Sequence, residues 1–426
     1  MQSKKYYSTA KIVFAIFVML LLASVVVPAQ SPAVKFKVLH RFHGPNGYGP
    51  GGVLVRDAAG NLYGTTVAGG TGKCNSGCGT TFKLNSDGKQ VWLHSFNYAD
   101  GQGPHAGLLH DAAGNFYGTA VEGGKSNHDD CSVGCGVVFK LDKSGKEAVL
   151  HKFRGDPDGY FPEALLVRDS AGNLYGTTYV GGEHGLGTVF KVDGAGRETV
   201  LYSFAGTPDG SLPYPGVIRD AAGNIYGVTS DGGTGAACDF GCGTVFKVDT
   251  TGKETILHDF EAGSDGADPA SVLLFDSDGN LYGTTGAGGN GECGGTGCGT
   301  VYELSPQSDG SWTEAVLYVF CSLSGCADGE APGTGPLVRG ANGDLYGTTT
   351  QGGTARGCNG GNCGVLFELD AMGKETVLHS FTGGTDGGIP AAGLLKDATG
   401  TLYGTTEGGA DRSCIGGCGI VFKIVP

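Results

Sequence analysis

Asp57-Ala-Ala-Gly60-Asn61-Leu62-Tyr63-Gly64-Thr65-Thr66 occurs seven times along the chain, with small edits, and its tyrosines are Tyr63, Tyr117, Tyr175, Tyr226, Tyr282, Tyr346 and Tyr403. Each copy reads as a tight turn followed by a strand. The Asp side chain bonds the turn backbone, the Gly accepts the positive φ that a hairpin needs, and the aromatic and hydroxyl residues favour a pleated, half-buried surface. The spacing, 51 to 64 residues, is that of a repeat architecture rather than of a single motif.

Outward from this stretch each unit supplies four strands. In the second unit Gly107 to Asp111 is a short apolar segment, Ala112 to Gly114 a turn and Asn115 to Thr119 the second strand. A glycine-rich loop, Val121 to Cys135, leads to Val137 to Leu141, and a turn at Asp142 to Gly145 opens Ala148 to Phe153. No segment has helical spacing over a useful length. Units are joined by an Asp-Gly pair with proline four residues past the Asp: Asp100/Pro104, Asp158/Pro162, Asp209/Pro213, Asp265/Pro269, Asp328/Pro332 and Asp386/Pro390, with Asn46/Pro50 in the first unit. The fold expected is all-β: a seven-bladed β-propeller of four-stranded antiparallel blades. The last unit ends on a third-type strand, Ile420 to Ile424, while an orphan fourth-type strand, Phe36 to Phe42, opens the chain. The N-terminal strand can therefore pair into the last blade and close the ring, which removes two free edges. The sixth unit is irregular, with Gly340 for Asp, Asp344 for Asn and a longer turn, Ser305 to Trp312, before it; the seventh has Thr401 for Asn.

The pattern Gly-Asn-Leu-Tyr-Gly-Thr-Thr…Gly-Gly…Gly-Thr-Val-Phe-Lys…Glu-Thr-Val-Leu-Tyr-Ser-Phe, seen between Gly172 and Phe204, resembles the GloVer repeat of the choice-of-anchor tandem-repeat proteins. The resemblance covers nearly all of the chain after residue 29. It implies an exported bacterial protein, often held to the cell surface by a carboxyl-terminal anchor, and it brings no catalytic residues. No such anchor is identified in Ile420 to Pro426.

Lys4, Lys5 and Lys11 precede an apolar run from Ile12 to Val27 and a small-residue site at Val27-Pro28-Ala29. Residues 1–29 read as a secretory signal peptide, too short in its apolar centre for a spanning helix, and residues 30–426 as one propeller domain. An uncleaved anchor is the alternative. The expected location is secreted, periplasmic or extracellular, with no membrane contact beyond the signal. Loss of three lysines would take the formal charge from −14 to −17. Such a chain repels phosphate backbones, so nucleic acid is not expected as a partner. Solubility accounts for the acidity, and a monomer is expected.

The 14 cysteines fall in seven close pairs. Six lie in loops between second and third strands: Cys74/Cys78, Cys131/Cys135, Cys238/Cys242, Cys293/Cys298, Cys358/Cys363 and Cys414/Cys418. Cys321/Cys326 lies in the connection leaving the fifth unit, and the third unit, with the shortest loop, has none. An even count in an exported protein points to disulfides that clamp long loops. Zinc would need four ligands in one place, and each loop offers two. No metal or other cofactor is expected. Calcium on the Asp-Gly carboxylates is conceivable, but turn chemistry accounts for those residues without it.

Second-to-third loops and inter-blade connections share one face of a propeller, where function usually sits. The fourth-strand histidines (His40, His94, His151, His258, His379) alternate with Tyr202 and Tyr318, which indicates packing and a hydrogen bond rather than proton transfer. Non-repeat candidates on the loop face are His105, Asp129, Asp130, Tyr160, Glu163, His184, Tyr214, Glu330 and Arg412, with His43, Tyr48 and His128 beside them. Aromatics and carboxylates of this kind suit a sugar, and two carboxylates can run glycoside cleavage. No pair stands out by spacing. The expectation is an exported, non-catalytic propeller that binds carbohydrate or protein at its loop face. The alternatives are a secreted carbohydrate-active hydrolase or lyase working at the channel mouth, and a cell-surface structural repeat protein. Convergence of non-repeat Asp, Glu, His or Arg from several blades would favour the enzyme.

Overall fold

A computed structural model describes residues 34–124, 131–289, 293–355, 357–358, 363–410, 414 and 416–426. The 1–29 leader reading lies outside them, as do His128, Asp129, Asp130 and Arg412. Seven antiparallel sheets follow one another along the chain. Blade 2 shows the pattern, from axis to rim: Leu109–His110, Phe116–Ala120, Val137–Leu141 and Glu147–Lys152. The second and third strands pair in register from Phe116↔Leu141 to Ala120↔Val137, and a bulge at Val138/Phe139 bends the outer strand. Blade 7 takes three strands from the C-terminal end, Leu395–Lys396, Leu402–Thr406 and Ile420–Val425, and its outer strand, Lys35–Arg41, from the N-terminal one. Lys35↔Val425 to Arg41↔Ile420 are paired antiparallel, so the ring is closed by its first strand.

The recurring turn is built on its aspartate. Asp57 Oδ1 accepts the Asn61 backbone N–H at 2.8 Å, and Oδ2 accepts Asn61 Nδ2 at 2.6 Å and the Tyr63 hydroxyl at 2.8 Å. Gly60 adopts a φ of 85° there, which a Cβ would resist. The same Asp–Tyr bond occurs in blades 2, 3, 4, 5 and 7. Blade 6, lacking the Asp, sends the Tyr346 hydroxyl instead to Glu368 Oε1 at 2.8 Å. The repeated tyrosine thus ties the turn to its strand.

Packing explains the Gly that follows it. A Cβ on Gly64 would lie 2.7 Å from Phe82 Cζ and 2.9 Å from Leu54 Cδ2, and its counterparts in the other blades meet the equivalent aromatic ring. Each of those third-strand rings then meets, edge on, the phenylalanine ending the preceding blade's outer strand. The pairs run from Phe42/Phe82 through Phe96/Phe139 to Phe381/Phe422, with centroids about 5 Å apart. Six cysteines complete these cores: Cys78, Cys135, Cys242, Cys298, Cys363 and Cys418 are fully buried, each bonded to its loop partner. Cys321 and Cys326 form the seventh disulfide.

At the rim, the alternation of His and Tyr is explained by a shared acceptor. His94 Nε2 lies 3.1 Å from Asp100 Oδ2, and the Tyr202 hydroxyl donates to Asp209 Oδ2 at 2.9 Å. The same carboxylates accept backbone N–H groups of their own linker, such as Asn97 to Asp100 and Ala205 to Asp209. These are turn and docking contacts.

Candidate functional site

Each linker runs inward from the rim, and its residue two before the proline bridges to the segment extending the second strand, as in Tyr48↔Ala68, Gln102↔Glu122 and Tyr160↔Val180. The residue directly before the proline is left-handed in all seven linkers: Gly49, Gly103, Phe161, Leu212, Asp268, Ala331 and Ile389 have φ between 52° and 66°. Pre-proline residues normally take extended backbone, and non-glycine residues here store strain of about 1–3 kcal/mol each. The twist delivers the residue after the proline to the channel mouth. That slot holds Gly51, His105, Glu163, Tyr214, Ala270, Gly333 and Ala391. Four blades fill it with a small residue and three consecutive linkers with a reactive one.

His105, Glu163 and Tyr214 line a cavity of about 400 Å³ together with Glu407, which arrives from blade 7 on the other side of the ring. Glu407 occupies a second ring of positions, directly after the second strand, where Tyr179 and Ser230 stand in blades 3 and 4. Adjoining recesses share these residues. One of about 260 Å³ adds Tyr48 to His105 and Glu407. Another, about 800 Å³, is lined by Tyr179, Tyr214, Asp231 and Asp268, and a third brings Glu122 to His105 and Glu163. The Tyr179 and Tyr214 rings meet edge to face at 6.0 Å. Among the described residues these linings contain no lysine or arginine.

Burial governs the charge states. It lowers the His105 pKa, so the imidazole is neutral at pH 7 with both an N–H donor and a ring-nitrogen acceptor. It raises Glu407 and Glu122. Glu163 is also raised, by burial first and by Glu122, against a hydrogen bond from Tyr214 that stabilises the anion. Tyr214 is pushed up by burial and then by Glu163 and Glu407, which keeps its hydroxyl protonated as a donor. Asp268 is raised by burial and by Asp231. The mouth therefore combines carboxyls whose proton affinity burial raises, a neutral imidazole and phenolic donors.

Three candidates from the sequence thus come together: His105, Glu163 and Tyr214. Tyr160 lies instead against Phe161 and the core between blades 2 and 3, His184 is exposed at the tip of the blade 3 loop, and Glu330 pairs with Gln351 beside the second strand of blade 6. Sequence reasoning missed Glu407, Tyr179, Asp231, Asp268 and Glu122. The first two were readable as departures from the small or aliphatic residues that follow the second strand in other blades. Two loops do bring four sulfurs into one place, against the expectation of two per site. Cys293, Cys298, Cys321 and Cys326 bring their Sγ atoms within 4.8 Å of one another, because the blade 5 exit folds back on the blade 5 loop. They are joined as two disulfides.

The Gloeobacter/Verrucomicrobia repeat matches residues 25–170, 71–294, 129–353 and 196–422, which together span nearly the whole chain. The chain belongs to this repeat family. In this Gloeobacter/Verrucomicrobia repeat protein each match runs across several consecutive blades, and successive matches overlap. No curated protein matches it in sequence. Among solved structures, a fungal alcohol oxidase of the AA5 family, in complex with copper, is 16% identical; the alignment covers 92% of this chain and 76% of that one with a TM-score of 0.55. The extracellular domain of a hybrid two-component system protein from B. thetaiotaomicron is 15% identical, covering 92% of this chain and 42% of that one with a TM-score of 0.55. At such identity the likeness is one of fold.

Proposed function

We propose that the channel mouth binds a polyhydroxylated ligand, a neutral or amine-bearing carbohydrate, and that the propeller acts outside the cytoplasm as a binding module. The observation that carries this is the convergence of His105, Glu163 and Tyr214 from consecutive linkers with Glu407 from across the ring. Hydroxyl groups need paired donors and acceptors in a partly apolar cleft, and this lining supplies both. The concentration of carboxyls without a basic side chain disfavours phosphorylated and uronic sugars. Seven disulfides fit an oxidising compartment, and export through cleavage near Ala29 is part of the same reading. Sequencing the amino terminus of the exported protein tests that part directly.

The binding test is a glycan array followed by calorimetry. Wild-type protein should bind at least one neutral or amino sugar, and Tyr214→Phe and His105→Ala should each weaken that binding about tenfold, as expected for one lost buried hydrogen bond. Silence on the array, or binding that ignores both substitutions, overturns the reading; a protein captured at the same face would move the ligand class instead.

A second reading is favoured by a specific observation. Glu163 and Glu407 approach one cavity from opposite sides, both with raised pKa values, as a general acid and its partner would. On that reading the protein turns over a polysaccharide, and Glu163→Gln and Glu407→Gln each lower kcat at least a hundredfold while leaving binding in place. Absence of turnover across neutral polysaccharides removes it and leaves the binding reading untouched.

A further inference from the structure

Another titratable cluster recurs away from the channel, at the outer ends of the blade junctions. There the outer-strand His or Tyr of one blade meets the linker carboxylate, and a residue at or near the start of the next blade's outer strand faces that carboxylate. Five junctions carry glutamate in that last position. Glu147 faces Asp100, His94 and Lys152; Glu198 faces Asp158, to which His151 is bonded at 3.3 Å. Glu254 faces Asp209 and Tyr202, Glu314 faces Asp265, His258 and Tyr302, and Glu375 faces Asp328 and Tyr318. In all five the glutamate Oε1 is buried without a hydrogen-bond partner in the protein. Two buried carboxylates side by side repel, and one held proton relieves both the repulsion and the desolvation.

The remaining two junctions carry no carboxyl pair. Between blades 7 and 1 the positions hold Asn46 and Gln90, and Gln90 Nε2 donates to the Asn46 carbonyl oxygen at 2.7 Å. That acceptor is the Asn46 backbone; the Gln90 amide carries permanently the hydrogen that a carboxyl there would have to borrow, and Asn46 Oδ1 accepts the His43 backbone N–H. Between blades 6 and 7 the position is Phe36, stacked on His379 at 3.9 Å. No junction places a lysine or arginine there.

We propose that the five Glu–Asp junctions are proton-sharing pairs, so that neighbouring blades are held tightly in mildly acidic medium and pushed apart as the pH rises. Burial first, and the facing Asp second, push Glu147, Glu254, Glu314 and Glu375 up to about 7, and Glu198 rises with them. Unfolded glutamate titrates near about 4.3, so the folded chain binds more protons between these values. The contribution is present in full below the unfolded value and is lost as pH rises through the folded one.

Thermal unfolding between pH 5 and pH 9 tests this. The wild-type midpoint should fall by several degrees from pH 5 to about pH 7 and level off above it. The variant carrying Glu→Gln at 147, 198, 254, 314 and 375 should show a flatter curve and a higher midpoint at pH 8. Should that variant not fold, Asn46→Asp with Gln90→Glu installs a sixth pair and should steepen the fall. The folded wild-type protein at pH 7 should also show an infrared carboxylic acid C=O band that disappears at pH 9. An unchanged slope in these variants, or no acid band, overturns the proposal. So does a midpoint at pH 8 that rises with calcium or zinc in wild type but not in Glu147→Gln, which would put a cation where the proton is assigned.

Discussion

Asp111 shows how much one side chain organises here. Burial works against its charge, yet bonds from the Asn115 amide and backbone, the Tyr117 hydroxyl and the Ala113 N–H outweigh that and hold its pKa at about 2. Asp57, Asp169, Asp220 and Asp276 are lowered by the same arrangement, and Asp397 by bonds from Thr399, Tyr403 and the Thr401 backbone. A folded value below the unfolded one, near about 3.9, means that each turn contributes fully above that pH and loses its contribution as pH falls towards 2. Acid unfolding followed by circular dichroism should therefore begin below about pH 4. Asp111→Asn should cost about 1 kcal/mol at neutral pH and make the acid limb less steep. If the glutamate pairs share protons as proposed, stability should be maximal in mild acid rather than at neutrality. Gly118 is the other residue whose identity is forced: an added Cβ would sit 2.7 Å from Phe139 Cζ. Gly118→Ala should cost about 1–3 kcal/mol in urea titration through overpacking. The Asp, Gly and Tyr of the turn were legible in sequence because turn chemistry is local. Their coupling through the tyrosine hydroxyl was not, since it depends on the register of strand against turn.

At the scale of the element, blade 6 shows what a repeat tolerates. In blades 1, 2 and 4 the third-strand lysine lies over the repeat tyrosine ring, as Lys83 does over Tyr63 at 5.5 Å, and the turn Asp takes the hydroxyl. Blade 6 has lost the Asp, and Glu368 in the lysine position receives the hydroxyl in its place. Restoring the common pattern with Gly340→Asp, Asp344→Asn and Glu368→Lys should stabilise the protein by about 0.5–1.5 kcal/mol, whereas Glu368→Lys alone should destabilise it by about 1 kcal/mol, both measurable by denaturant titration. The strands and turns of every blade could be read from alternation and spacing, because each is specified within some ten residues. The channel mouth could not. Its residues are paired by the ring, not by the chain: His105 and Glu407 stand together only after seven blades have closed. His105, Glu163 and Tyr214 stood out as polar residues of the loop face that the repeat does not explain, whereas Glu407, at the first position after its strand, gave no sign in the sequence that the ring would bring it to them.

For the whole molecule the seam between the first and last strands decides whether seven blades behave as one body. Phe42 at the end of the closing strand and Phe96 at the end of the blade 1 outer strand are equivalent: both fully buried, with partners Phe82 and Phe139 at 5.1 and 4.9 Å. Cavity formation alone would make Phe42→Ala and Phe96→Ala equally costly, about 3–5 kcal/mol each. Their consequences differ because Phe96 is held by chain on both sides of an internal blade, whereas Phe42 secures a strand joined to blade 7 only by pairing with Ile420–Val425. Loosening that strand uncovers the edge of Ile420–Val425 and separates Phe36 from Phe422 and His379, so the loss propagates to both blades at the seam. Lys35, Lys37 and Arg41 are exposed on the closing strand and would become trypsin sites on its release. Brief trypsin treatment under native conditions should therefore cut Phe42→Ala within 35–41 long before Phe96→Ala is cut there, although the two variants lose similar stability in urea. Equal protection of that strand in both variants would mean that the ring does not depend on its seam.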